Sequence, residues 1–154
     1  MKEKQHTASC CCGEMAITFE GEPLRVFRCH CKYCQRRTGS VFQVSAWFKR
    51  EQVVCKTDGK VFNESENNAG VDYSFCTRCG STVHWPLARS FSLDVYAVAV
   101  GCFADKTFPK PDIDIHEQHR HPWVPLIDGV ESYKEWPPFV HDLVASANTA
   151  KDEM

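Results

Sequence analysis

Cys76-Thr77-Arg78-Cys79-Gly80 is the stretch on which the reading of this chain turns. Two cysteines separated by two residues and closed by glycine form a knuckle. The turn brings both sulfurs together, and Gly80 lets the backbone donate hydrogen bonds toward them. Working outward, Cys10-Cys11-Cys12-Gly13 supplies a matching pair. Residues i and i+2 of an extended segment project to the same side, so Cys10 and Cys12 can share one ion while Cys11 points away. A C-x-C with a distant C-x-x-C completes a tetrahedron of sulfurs, the donor set of a structural zinc with Zn–S of about 2.3 Å. Four thiolates leave no open position, so the expected role of Cys10, Cys12, Cys76 and Cys79 is folding. Structural zinc contributes on the order of 10 kcal/mol in small peptides.

Cys29-His30-Cys31-Lys32-Tyr33-Cys34 reads differently, because its three cysteines fall within six consecutive residues. Ligands that close together cannot easily close a tetrahedron from their own segment. The fourth position is left to water, a substrate, or a residue from elsewhere, which is the arrangement of catalytic zinc. Three thiolates give Zn²⁺ a net charge of about −1 and donate strongly to it. Such an ion is a poorer Lewis acid toward water than one held by neutral histidines, which brings bound water to a pKa of about 7. It suits a soft fourth ligand, a thiol or thiolate. Cysteines at the start of a helical turn beside Arg36 and Arg37 are also favoured in the ionised state. Sulfur chemistry is therefore expected over amide or phosphate hydrolysis, with a redox-sensing thiol cluster as the alternative. Cys11, Cys55 and Cys102 read as free structural cysteines.

The rest of the chain sets the frame. Its 154 residues fit one domain, and 43% hydrophobic with 25% charged residues match an ordinary globular protein. A net charge of −2 carries no strongly basic footprint, so no nucleic-acid partner is expected. The polar start Met1-Lys2-Glu3-Lys4-Gln5-His6 does not read as a signal peptide. The longest apolar stretch, around Val95 to Val100, is far short of the roughly 20 residues of a membrane span. A cytoplasmic, reducing location is the expectation, and there closely spaced cysteines among the ten read as metal ligands rather than disulfides.

Short strands are expected over Met15–Phe19, Leu24–Arg28, Val41–Phe48, Val71–Phe75 and Ser92–Val100, the last covered on both faces. A helical turn is expected from Cys34 to Thr38, ended by Gly39. Turns are expected at Gly21-Glu22-Pro23, Asp58-Gly59, Asn67-Asn68-Ala69-Gly70 and Asp128-Gly129. The sum is a mainly β, antiparallel domain over residues 8–137, with an N-terminal arm at 1–7 and a tail at 138–154 that, after Val140, forms a weak helix or frays. Pro109 to Pro138 reads as an ordered covering segment, since Trp123 and Trp136 need something to pack against.

Among the histidines, His30 should point away from the ion held by its neighbours, in a supporting or surface role. His84 lines a cleft or simply sits on a strand. His116, His119 and His121, with Glu117, read as a solvated loop, His116 being the candidate if the open zinc takes a fourth protein ligand. Lys32, Arg36 and Arg37 lie close enough in sequence to pair with the carboxylates of a peptide thiol.

These residues resemble the glutathione-dependent formaldehyde-activating enzyme family, the CENP-V/GFA domain. The matching stretches are Ser9-Cys10-Cys11-Cys12-Gly13, Arg28 through Ser40, and Phe75-Cys76-Thr77-Arg78-Cys79-Gly80-Ser81. Trp123-Val124-Pro125, Asp128-Gly129 and Tyr133 are similar to the family's ending. The resemblance implies an Mss4-like zinc-binding fold and two zinc ions per chain. Cys10, Cys12, Cys76 and Cys79 would hold the structural ion, and Cys29, Cys31 and Cys34 the second, associated with glutathione. It further implies a carbon–sulfur lyase that joins formaldehyde to glutathione as S-(hydroxymethyl)glutathione. The rival expectations are a zinc-stabilised interaction module without catalysis, and a thiol redox or zinc sensor.

Overall fold

The structure, a computed structural model, describes residues 2–63, 71–138 and 140. The turn expected over Asn67–Gly70 and the tail beyond Val140 lie outside the described residues. The chain divides into two compact units, one of Met1–Leu24 and Ser45–Pro109, the other of Arg25–Val44 and Lys110–Met154. In chain order the elements are β1 (Gln5–Ser9), β2 (Ala16–Glu20), β3 (Arg25–Cys29), α1 (Lys32–Thr38), β4 (Gln43–Lys49), β5 (Val53–Lys56), β6 (Lys60–Asn63), β7 (Asp72–Phe75), β8 (Thr82–Pro86), α2 (Ala88–Phe91), β9 (Val95–Ala99), β10 (Ile113–Ile115) and β11 (Glu131–Ser132). The protein is mainly β.

In the first unit β1, β2 and β5 form one antiparallel sheet, with Ser9 opposite Ala16 and Gln5 opposite Glu20. β4, β9, β8, β7 and β6 follow one another in a second antiparallel array. Alternation explains β2, where Ile17 and Phe19 turn inward and Thr18 turns outward. β9 is buried on both faces from Val95 to Val98, as its unbroken apolar run requires. The aromatic core is built from stacked pairs, Phe19 on Phe48 at 4.1 Å and Phe103 on Phe108 at 4.3 Å. His6 of β1 packs edge-on to Phe108 at 5.2 Å. β1 begins at Gln5, so the stretch read from sequence as an arm contributes three residues to a strand.

The second unit holds α1 and the strands β11, β10 and β3, neighbours in that order. Here the pairing departs from the antiparallel expectation, since β10 runs parallel to both β3 and β11. Parallel neighbours need a long connection, and more than 80 residues of chain separate β3 from β10. α1 starts at Lys32, two residues before the expected turn, because Cys31 caps it: its sulfur accepts the Cys34 N–H at 3.2 Å. Gly39 closes the helix in the left-handed conformation, as expected.

One glycine of the first unit is fixed by close approach. A Cβ on Gly59 would lie 2.1 Å from the Phe75 carbonyl oxygen, backbone that cannot swing aside. Gly59→Ala should therefore destabilise the protein by about 1–3 kcal/mol through overpacking. A thermal melt within 1 °C of the wild type would contradict the close approach.

Candidate metal centres

The first centre lies in the first unit, at the tips of two strand pairs. Cys10 and Cys12 sit in the turn joining β1 to β2, and Cys76 and Cys79 in the turn joining β7 to β8. The two tips are built alike. Cys10 N–H donates to the Met15 carbonyl at 2.8 Å, and Cys76 N–H donates to that of Ser81 at 3.0 Å. Each turn closes on a glycine of positive φ, Gly13 at 83° and Gly80 at 77°, a region that side chains seldom enter. The four sulfurs all lie within 4.8 Å of one another. Cys10 Sγ is 3.5 Å from Cys12 Sγ, which is 3.6 Å from Cys76 Sγ. A tetrahedron with Zn–S of about 2.3 Å has sulfur–sulfur edges of about 3.8 Å, so the observed spacing fits that ion.

Donors surround these sulfurs. Met15 N–H reaches Cys10 Sγ at 3.2 Å, and Ser81 Oγ lies 3.3 Å from Cys79 Sγ. Hydrogen bonds from the Ser81 side chain and backbone and from the Cys12 backbone lower the Cys79 thiol to a pKa of about 5. Thiolate is the form a cation needs. Outside the ligand set, Cys11 N–H donates to Ser81 Oγ at 3.3 Å and so ties the two tips together. Cys11 and Cys55 are exposed rather than buried as free cysteines usually are, and Cys102 is half-buried with its sulfur 3.6 Å from the Thr82 carbonyl.

The second centre lies wholly in the other unit. Cys29 ends β3, Cys31 caps α1 and Cys34 lies in its first turn, and the three sulfurs again fall within 4.8 Å. Cys29 and Cys34 are buried, while Cys31 is half-buried. Hydrogen bonds from the Cys29 and Cys34 thiols to Cys31 lower its pKa to about 2. The same shared hydrogen bonds drive Cys29 upward. Cys34 is pulled down by Cys29, yet its bond to Cys31 and its burial push it up to about 12. The shared hydrogen bonds thus favour the thiolate form at Cys31 over its two neighbours. The donor set fits a soft divalent ion with one position left over.

With both centres in view, the chain can be compared with known families. Residues 5–119 match the family model described as glutathione-dependent formaldehyde-activating enzyme. The chain belongs to this family. No curated protein gives a significant match. The family match takes in all seven cysteines of the two centres and ends before Trp123, Asp128 and Tyr133, so the resemblance of those residues lies outside it.

Around the second centre of this GFA-family chain, several sequence expectations change. Of the supporting and surface placements expected for His30 the structure has the buried one, with Nε2 3.1 Å from Asp114 Oδ1. His116 sits beside the cluster closely enough to help lower Cys31, but its ring is not among the groups whose ligand atoms converge on the three sulfurs. Burial holds its imidazole below the ordinary value. The segment after it is ordered rather than a solvated loop, because Gln35 of α1 grips it. Gln35 Nε2 donates to the His30 carbonyl at 2.8 Å and the His119 carbonyl at 3.3 Å, and its Oε1 accepts from His121 Nε2 at 2.8 Å. Arg37 acts on Cys34 through its charge, while Lys32 and Arg36 are exposed. Trp136 packs edge-on against His116 at 5.6 Å and Trp123 edge-on against His121 at 6.0 Å, yet both remain exposed, Trp123 the more so at 71%. His84 sits on β8, buried, with Nε2 3.3 Å from the Thr57 carbonyl.

Sequence reasoning missed Gln35 and Asp114. Asp112-Ile113-Asp114-Ile115 alternates, which usually means an exposed acidic face. The signal that could have found Asp114 is the neighbouring Arg28, a charge next to a ligand cysteine that requires a partner.

Proposed function

We propose that the chain is a zinc-dependent carbon–sulfur lyase acting on adducts of glutathione, or a similar thiol, with formaldehyde or a related small electrophile. The observation that carries this reading is the convergence of Cys29, Cys31 and Cys34 on a single point with no fourth ligand among the described residues. Family membership adds the thiol. Zinc held there would accept the substrate sulfur and keep it ionised near neutral pH.

The remaining work belongs to the chain. Cys29, Cys31 and Cys34 bring their charge and leave one position toward which a sulfur can be directed. Two of the three are buried, so water is kept from that side. Lys32 and Arg36 on the exposed face of α1 offer positive charge to the carboxylates of a peptide thiol. The carbon–sulfur bond forms as the thiolate sulfur attacks the carbonyl carbon, the carbonyl electron pair moves to oxygen, and that oxygen takes a proton from water. The lyase direction reverses these movements. Positioning supplies most of the gain, since the same addition occurs in solution.

Elemental analysis should find two zinc ions per chain, with one of them altered or released by glutathione. One ion, indifferent to the thiol, would leave a zinc-stabilised module in place of an enzyme. The sensor reading also has an observation in its favour, three free cysteines whose sulfurs lie within 4.8 Å of one another. It expects mild oxidation to release the second ion reversibly and leave disulfides among the three cysteines.

A further inference from the structure

Next to the second centre lies a charged group that the chemistry above leaves unused. Asp114 is 1% exposed and Arg28 5%, and His30 is fully buried. Arg28 grips the carboxylate with both arms of its fork, Nε to Oδ1 at 2.5 Å and Nη2 to Oδ2 at 2.6 Å. His30 Nε2 approaches the same Oδ1 at 3.1 Å. The Phe42 ring packs against both partners of the aspartate, 5.9 Å from the His30 ring and 5.4 Å from the Arg28 guanidinium carbon. Replacing a buried ion pair by apolar residues is often neutral or stabilising, so fold stability alone is a poor reason for one here.

Its position supplies a better reason. Arg28 precedes Cys29, and His30 separates Cys29 from Cys31. Along the strand pair Arg28 stands opposite Asp114, and Cys29 opposite Ile115. His30 is held at three points: its N–H donates to the Ile115 carbonyl at 3.1 Å, its carbonyl accepts from Gln35 at 2.8 Å, and its ring meets Asp114. Fixing the middle residue of a C-x-C pair fixes both neighbouring Cα–Cβ bonds, and these place the sulfurs. His30 Nδ1 is buried without a partner among the described residues. That pattern requires the proton on Nε2, so that the unpaired atom is a lone pair and not an N–H.

We infer that Asp114 is a positioning residue for the second metal, acting through His30 to preset Cys29 and Cys31 as a chelating pair. Outer contacts of metal sites usually orient a ligand side chain. In this chain the contact orients the residue between two ligands. The inference rests on the second-metal reading proposed above.

His30→Phe tests it with little disturbance. The ring and its packing on Phe42 remain, Asp114 stays paired with Arg28, and only the Nε2 bond is lost. Zinc affinity is read by competition with a chromophoric chelator, and cobalt(II) substitution reports ligand geometry through its sulfur charge-transfer and d–d bands. The second-site affinity should fall roughly 10–100-fold with altered cobalt bands, as for lost outer contacts in other sites. The ion at Cys10, Cys12, Cys76 and Cys79 and the thermal transition should not change. The double variant Arg28→Met/Asp114→Leu, apolar in place of the pair, should lose second-site affinity in the same way while staying folded. A folded His30→Phe protein with wild-type affinity and cobalt spectrum overturns the inference. So does loss of the first ion in both variants, which would make the group part of folding. One ion in the wild type sinks the second-metal reading itself, whereas two ions with unaltered affinity in His30→Phe sink this inference alone.

Discussion

Cys76→Ser should cost the chain one zinc ion and most of the stability of its first unit. Cys76 is 4% exposed, and its sulfur lies 3.6 Å from that of Cys12, across the junction between the β1–β2 and β7–β8 tips. Apart from contacts to the ligand sulfurs themselves, the two turns the ion would join are tied by Cys11 N–H to Ser81 Oγ and the exposed Arg78–Glu14 pair at 3.1 Å. Serine at neutral pH offers an alcohol where a thiolate stood, and it is a much weaker ligand. If half of a structural ion's contribution of roughly 10 kcal/mol is lost, the cost is on the order of 5 kcal/mol. That is comparable with the whole stability of many domains, about 5–15 kcal/mol. The thermal midpoint should drop by about 10 °C or more, or the transition should disappear. Chelation of the wild type should reproduce the change. Cys55→Ser, at an exposed position of β5, should stay within about 0.5 kcal/mol of the wild type. Calorimetry with zinc analysis checks both variants, and an unchanged zinc content and midpoint in Cys76→Ser would remove the structural ion.

The sulfur ligands were legible in the sequence because their grouping is mostly local. Spacings of one and two residues nominate the pairs, and only the joining of Cys10 and Cys12 with Cys76 and Cys79 required the fold. Strands with large alternating side chains were legible too, as in β2 and β7. β1 was not, since Gln5-His6-Thr7-Ala8-Ser9 has no large aliphatic residue, and His6 is buried by an aromatic cluster assembled from distant positions. The parallel pairing of β10 with β3 was hidden for a different reason. Three alternating residues name neither their partner nor their direction, and the buried Asp114 becomes intelligible only beside Arg28, 86 positions earlier. Trp123 shows the opposite failure. A large apolar residue reads as needing cover, but single exposed ones are common on protein surfaces.

Cys31→Ser should abolish the second metal and any catalysis while leaving the fold intact. Cys31 has two duties that serine separates. As a ligand it is the half-buried member of the trio, so it stands on the side from which a substrate thiol would arrive, and both other thiols hydrogen-bond to it. Serine cannot replace that thiolate. As the cap of α1 it accepts the Cys34 N–H at 3.2 Å, and serine is among the best residues for that task. The helix start should survive, and stability should change by no more than about 1 kcal/mol. Zinc content should fall from two to one per chain. Exchange between formaldehyde, glutathione and their adduct, followed by NMR, should slow to the rate without protein. An exchange rate equal to that of the wild type would end the lyase reading, because an ion with three thiolates is what that reading asks of Cys29, Cys31 and Cys34. Unfolding as severe as that of Cys76→Ser, with no thiol bound by the wild type, would instead favour a second structural ion. The variant therefore tells a catalytic site from a second staple, because the residue that holds the metal also starts the helix.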